Sequence, residues 1–202
     1  MESVTPGTVR RLGIALLVTA ALAGCTTTLK PLPTDAAATD QARLYALSYW
    51  KAEGRMGIQA NGRAWNANLF WEHDRGQDRL RLSGPFNQGV VSIILQDDLI
   101  LINEGNGVTE TTTDIDAALT RRLGFTVPVA SLRYWMLGIP APQGEFTRTG
   151  SGATRQLAQQ GWSMDFDRYT PLAGAMVPGK SSIRGKGVKL KLLVDTWSTA
   201  KP

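Results

Sequence analysis

Three groups in this chain are placed to do chemistry: the only thiol, Cys25; the only imidazole, His73; and a phosphate-binding pattern at residues 174–181. Cys25 closes Leu22-Ala23-Gly24-Cys25. Once that thiol is modified, no disulfide, zinc–thiolate site or cysteine nucleophile remains. His73 stands beside Asp74 at the end of an alternating segment. That is the base and acid of a hydrolytic relay, but no serine elbow supplies a nucleophile. The alternative reading is a surface turn residue, and one histidine cannot form a metal pair. Gly174-Ala-Met-Val-Pro-Gly179-Lys180-Ser181 satisfies G-x-x-x-x-G-K-[ST]. Such a loop cradles phosphate only when a strand enters it and a helix leaves it. Here Arg168–Leu172 reads as turn-like, and the exit through Gly185-Lys186-Gly187 is too glycine-rich for a helix. Leu192-Leu193-Val194-Asp195 imitates the strand carrying a metal-binding Asp but follows too soon for a crossover helix. No nucleotide, metal or cofactor is expected.

The elements around Cys25 give it a destination. Arg10-Arg11, the apolar run Leu12–Ala21 and the small residues before the cysteine form a secretory signal. Its apolar core is shorter than the ~20 residues a membrane-spanning helix needs. Leu-Ala-Gly-Cys resembles the lipobox of bacterial lipoproteins, which implies that residues 1–24 are removed and that Cys25 is lipidated. Thr26, where enterobacterial lipoproteins retained at the inner membrane commonly carry aspartate, points by the same resemblance to the outer membrane. Residues 25–39, small and polar with Pro31 and Pro33, read as a flexible tether.

Removing Arg10, Arg11 and Glu2 with the signal lowers the net charge from +5 to +4. That suits contact with anionic lipid or a mildly acidic partner. No dense Lys/Arg block with interleaved aromatics marks a nucleic-acid surface. Residues 40–202 are long enough for one domain with a sizeable core.

Asp40–Ser48 could form a short amphipathic helix, with Asp40 as N-cap and Leu44 and Leu47 on one side. The period then becomes two. Tyr49–Ala60, Asn61-Gly62 and Arg63–His73 read as a hairpin. Further strands are expected at Arg79–Ser83, Val90–Gln96, Leu99–Asn103 and Val108–Thr112. Thr113 then reads as the N-cap of a helix stopping at Gly124, and Pro128 opens a second helix ending at Gly138. Strands return near Phe146, at Arg155–Gln160, Gly161–Tyr169, Ser181–Arg184 and Val188–Trp197. The pattern is mainly β: about eleven antiparallel strands as a sandwich or barrel-like sheet, with helices between the sixth and seventh.

Several separated segments then fall in one order: Gly54-Arg55-Met56, Leu69-Phe70-Trp71, Leu80-Arg81-Leu82 and Gly84-Pro85-Phe86. Leu132-Arg-Tyr-Trp-Met-Leu-Gly-Ile-Pro140, Gly161-Trp162 with Tyr169, and Lys189-Leu190-Lys191 leading into Trp197 follow. With them the chain resembles the LolB family of outer-membrane lipoprotein receptors. The resemblance implies an incomplete antiparallel barrel with an α-helical lid, about residues 113–138, across its open side. It implies a receptor that takes triacylated lipoproteins from the periplasmic carrier LolA and inserts them into the inner leaflet of the outer membrane. The protein would be a non-enzymatic monomer facing the periplasm. The family's membrane-insertion loop aligns with Gly84–Gly89, where Pro85 and Phe86 form the apolar tip and Asn87-Gln88 lengthen the turn. The alternative is that Phe86 folds back on the barrel rim.

A carrier of acyl chains needs a concave apolar surface. The candidates for its lining are Trp65, Leu69, Trp71, Leu80, Leu82, Ile93, Leu95, Trp162, Met164, Phe166, Leu190 and Leu192. The lid candidates are Ile115, Leu119, Leu132, Trp135 and Met136. An ordinary filled core gives the same periodicity. The rival function is an anchored periplasmic protein that binds a lipid or small apolar ligand without passing it on.

Overall fold

Two-residue turns ending in glycine set the path of the chain. Asn61-Gly62, Arg75-Gly76, Gln160-Gly161, Ala173-Gly174 and Lys186-Gly187 all have positive φ at both positions, between 47° and 89°. This is type I′ geometry, whose twist matches that of the strands it joins. The computed structural model describes residues 34–84, 89–96, 99–103, 109–150 and 153–201.

Helix α1 (Thr34–Tyr45) precedes β1 (Tyr49–Ala60), β2 (Arg63–Asp74), β3 (Gln77–Ser83), β4 (Val90–Gln96), β5 (Leu99–Asn103) and β6 (Thr109–Thr112). Helices α2 (Ile115–Leu123) and α3 (Val129–Met136) follow. The chain closes with β7 (Phe146–Thr149), β8 (Gln156–Gln159), β9 (Trp162–Leu172), β10 (Ala175–Gly185) and β11 (Val188–Ser198). All eleven strands form one sheet, ordered β6-β5-β4-β3-β2-β1-β11-β10-β9-β8-β7. Every sequence neighbour pairs antiparallel except β6 and β7, which lie at opposite edges. The connection between those edges carries α2 and α3. The expected incomplete barrel with helices between the sixth and seventh strands is therefore present.

The inward faces are apolar and alternate as a half-buried strand must. Trp50, Ala52, Met56 and Ala60 of β1, Leu69 and Trp71 of β2, and Leu80 of β3 are all buried. Leu119 of α2 and Leu132, Trp135 and Met136 of α3 close over them. One irregularity resets the phase. The β1–β11 register shifts between Glu53 and Gly54, so that Glu53 faces Thr196 while Gly54 faces Val194, leaving Asp195 as a bulge. Beyond it Trp197 packs against Trp50, with ring centroids 5.6 Å apart. A Cβ at Gly54 would collide with the Leu193 carbonyl, so this close strand approach requires glycine.

The elements differ from expectation chiefly at α1, α2, β9 and β10. Helix α1 begins at Thr34, not Asp40. Ala36-Ala37-Ala38, read as tether, are strong helix formers, and Asp40 lies inside the helix, 3.5 Å from Arg43. The N-cap of α2 is Asp114 rather than Thr113: its carboxylate accepts from the Ala117 amide at 2.9 Å. Strands β9 and β10 run on through Leu172 and from Ala175, across what read as a loop. Pro178 is tolerated there beside an irregularity where Pro178 faces Tyr169 and Lys180 faces Asp167.

Gly54→Val is expected to lower unfolding free energy by about 3 kcal/mol through overpacking of the β1–β11 ladder. Urea denaturation checks this, and a change below about 1 kcal/mol would show that the ladder can shift to accommodate the side chain.

Candidate functional site

The concave face of the sheet and the two helices across it enclose the apolar interior. Beneath the lid a void of about 50 Å³ has no polar lining, and Leu69, Trp71, Leu80, Leu82, Ile93 and Leu192 meet Leu119 and Leu132 around it. Met56, Ile58, Val127 and Val129 complete the wall. A cavity of about 150 Å³ is what holds one benzene, so an alkyl chain has no room there in this closed arrangement. The interior is largely filled.

The remaining candidates fall elsewhere. Leu95, Trp162, Met164, Phe166 and Leu190 are buried in the core away from that void. Trp135 and Met136 are buried too, with Trp135 packed 6.1 Å from Trp162 between ring centroids. Trp65, near the tip of the β1–β2 hairpin, is 42% exposed. It lies against Phe125 of the α2–α3 connection, 5.5 Å between centroids. Cys25, Pro85 and Phe86 lie outside the described residues, as does the side chain of Ile115.

Polar contacts tie the lid to the sheet, and periodicity alone did not single them out. Asp78 of β3 is 2% exposed and shares the inward phase of Leu80. Its Oδ1 accepts from Trp71 Nε1 at 2.9 Å and lies 3.0 Å from His73 Nδ1. Its Oδ2 accepts from Arg133 Nη1 of α3 at 2.9 Å. Gln159 of β8, equally buried, accepts through Oε1 from Trp135 Nε1 at 2.9 Å and from the Ala141 amide at 2.8 Å. Its Nε2 donates to the Ala141 and Gln143 carbonyls. Asn61, in the β1–β2 turn, donates to the carbonyl of Gly124, the C-cap of α2, at 2.9 Å. The sequence signal for Asp78 and Gln159 was a polar residue in phase with inward apolar neighbours. Buried polar groups persist only when bonded, so such a residue marks a tie. Helix α1 joins in: Tyr45 donates to the Pro140 carbonyl at 2.6 Å, and burial raises the pKa of its phenol.

His73 is not a surface turn residue. It is half-buried in β2, stacks on Trp50 at 5.7 Å, and its acidic partner is Asp78 rather than Asp74, which pairs with Lys201. The other donors to Asp78 are an indole and a guanidinium, neither a nucleophile. In the phosphate-binding pattern, Ala173-Gly174 is a hairpin turn and the rest is β10. Ser181 is 3% exposed in a strand whose neighbours are β9 and β11, so no helix N-terminus follows the motif.

Removing one member of a buried pair leaves the other charge unsatisfied. Arg133→Met is therefore expected to cost about 3 kcal/mol. Adding Asp78→Asn should restore at least about 1 kcal/mol relative to the sum of the single effects. Amide exchange across residues 129–136 should speed up in Arg133→Met. Strict additivity with unchanged exchange would show that the pair does not hold α3.

Comparison with known proteins follows the same lines. Residues 48–197 match the family model described as outer membrane lipoprotein LolB. The outer-membrane lipoprotein LolB of Nitrosococcus oceani is 30% identical over 194 residues, 93% of this chain and 96% of its own length. That of Thiobacillus denitrificans is 28% identical over 193 residues, covering 95% and 99%. Among solved structures, a LolA superfamily protein from Nitrosomonas europaea aligns with a TM-score of 0.53 at 8% identity, over 83% of this chain and 94% of that one. This last likeness is one of fold. Because the matched segment takes in every strand from β1 to β10 and all but the end of β11, the chain belongs to the outer membrane lipoprotein LolB family.

Proposed function

We propose that this protein is the outer-membrane receptor that accepts triacylated lipoproteins from the periplasmic carrier LolA and delivers them to the inner leaflet of that membrane. It is anchored there by lipid on Cys25 and faces the periplasm. The observation that carries this reading is an apolar concave sheet covered by two short helices held through separable polar ties, chiefly Asp78–Arg133 and Gln159. Covalent links would fix such a lid; hydrogen bonds and ion pairing let it exchange.

The filled interior makes lid movement part of the mechanism. A chain of sixteen carbons carries roughly 12 kcal/mol of transfer free energy at about 0.8 kcal/mol per methylene. It can replace the contacts Leu119, Leu132, Trp135 and Met136 make with the sheet when the helices lift. The exchange is apolar for apolar, so it needs no chemical energy source. Transfer runs from the carrier to this protein to the bilayer by increasing affinity, with no enzymatic step and no cofactor. Pro85 and Phe86, in the segment between β3 and β4, enter the bilayer during delivery. Burying one aromatic in lipid contributes about 2 kcal/mol.

Purified protein is expected to take an acylated peptide from LolA and pass it to liposomes without nucleotide; a strict ATP requirement would overturn this. Phe86→Glu should accept cargo normally and deliver it poorly. Equal delivery by mutant and parent, followed by sedimentation of the liposomes, would remove Phe86 from the mechanism.

A further inference from the structure

The tip of the β1–β2 hairpin holds a second apolar recess that the receptor reading leaves unused. It measures about 310 Å³ and opens to solvent between the hairpin and the α2–α3 connection. Trp65, Ala67 and Phe125 line it together with Met56, Ile58 and Leu82, while Arg63 and Asn66 stand at its edge. Met56, Ile58 and Leu82 also line the void beneath the lid. These three side chains thus form a thin apolar wall between the surface recess and the interior. Trp65 pairs across the hairpin with Ile58, and it stays 42% exposed although Phe125 packs against its ring. Asn61 and Gly124 clasp the two sides at the same end.

We infer that this recess is the entry port for a single acyl chain, taken up before the lid opens, with Trp65 as the residue that receives it. The inference rests on the receptor reading and specifies its first step. Three observations carry it. The recess lies within the roughly 300–1,000 Å³ range of ligand pockets, whereas the inner void is far below it. An exposed tryptophan beside a buried phenylalanine offers a broad apolar platform with little ordering cost, since the two rings already pack together, tilted by 35°. The wall shared with the inner void lets the chain end advance by displacing Met56, an unbranched and adaptable side chain. Arg63, at the rim, supplies N–H donors to the amide or ester carbonyls at the polar end of the chain. One chain would therefore wedge the lid edge at Gly124 and Phe125 before the others follow.

The test uses the full lipidated protein and N-dodecanoylglycine methyl ester, a neutral single-chain probe, measured by calorimetric titration. Trp65→Glu is expected to weaken probe binding about tenfold or more, while Trp65→Phe stays within about threefold. Acceptance of a triacylated peptide from LolA should slow in parallel. The same probe with a diazirine at the chain end should label Met56, Ile58, Trp65 or Leu82 in the parent protein, a readout that stands even if Trp65→Glu unfolds. Unchanged probe affinity in a folded Trp65→Glu protein, or labelling confined to β8–β10, overturns the port. If the parent accepts triacylated peptide while either result holds, the port alone fails. If the parent accepts neither ligand, the receptor reading fails with it.

Discussion

A sheet that curls without closing has an inner face that must be covered, and this requirement organises the molecule. Eleven strands give the sheet enough curvature to wrap an interior, yet β6 and β7 never pair. The apolar residues facing inward cannot be left to water, and the chain covers them with the segment that links its two free edges. Cover and connection are the same piece of polypeptide. Any displacement of the helices therefore exposes the concave face while leaving the strand ladder intact.

The cover is held in a graded way. Hydrophobic contact through Leu132, Trp135 and Met136 supplies the bulk of the attraction without direction. Direction comes from a few buried polar groups, each with its hydrogen-bonding capacity well used: Asp78 serves three donors, and Gln159 takes two and gives two. Such groups are costly when unpaired, so they select one closed position of α3 over neighbouring ones. The consequence is a lid with a defined seat that can still leave it.

Much of this architecture was legible because period two and Gly-containing turns are local signals. The Asn61-Gly62 hairpin, the face shared by Leu69 and Trp71, and the placement of helices between β6 and β7 all followed from spacing. What escaped depended on distant partners. Ala173-Gly174 is a type I′ turn with alanine at positive φ, a position where alanine is disfavoured, so the run through Pro178 did not read as a strand. The Asp195 bulge depends on how β11 meets β1 and could not be seen in β11 alone. Asp78 lay just outside the strand expected from Arg79, and nothing local tied it to Arg133, fifty-five positions away. Whether inward side chains line a hollow or fill it is a matter of volume, which alternation does not encode.

The pairing of β1 with β11 has a kinetic consequence. The central seam of the sheet joins segments as far apart as Lys51 and Ser198, whereas most other seams are hairpins. Each half can zip locally, but the two halves unite only when the last strand finds the first, and closing so long a loop is slow. Until then β1 presents a naked edge rich in hydrogen-bonding groups, the kind that invites wrong partners. A nascent chain of this design must be shielded from its own copies for longer than its individual hairpins would suggest.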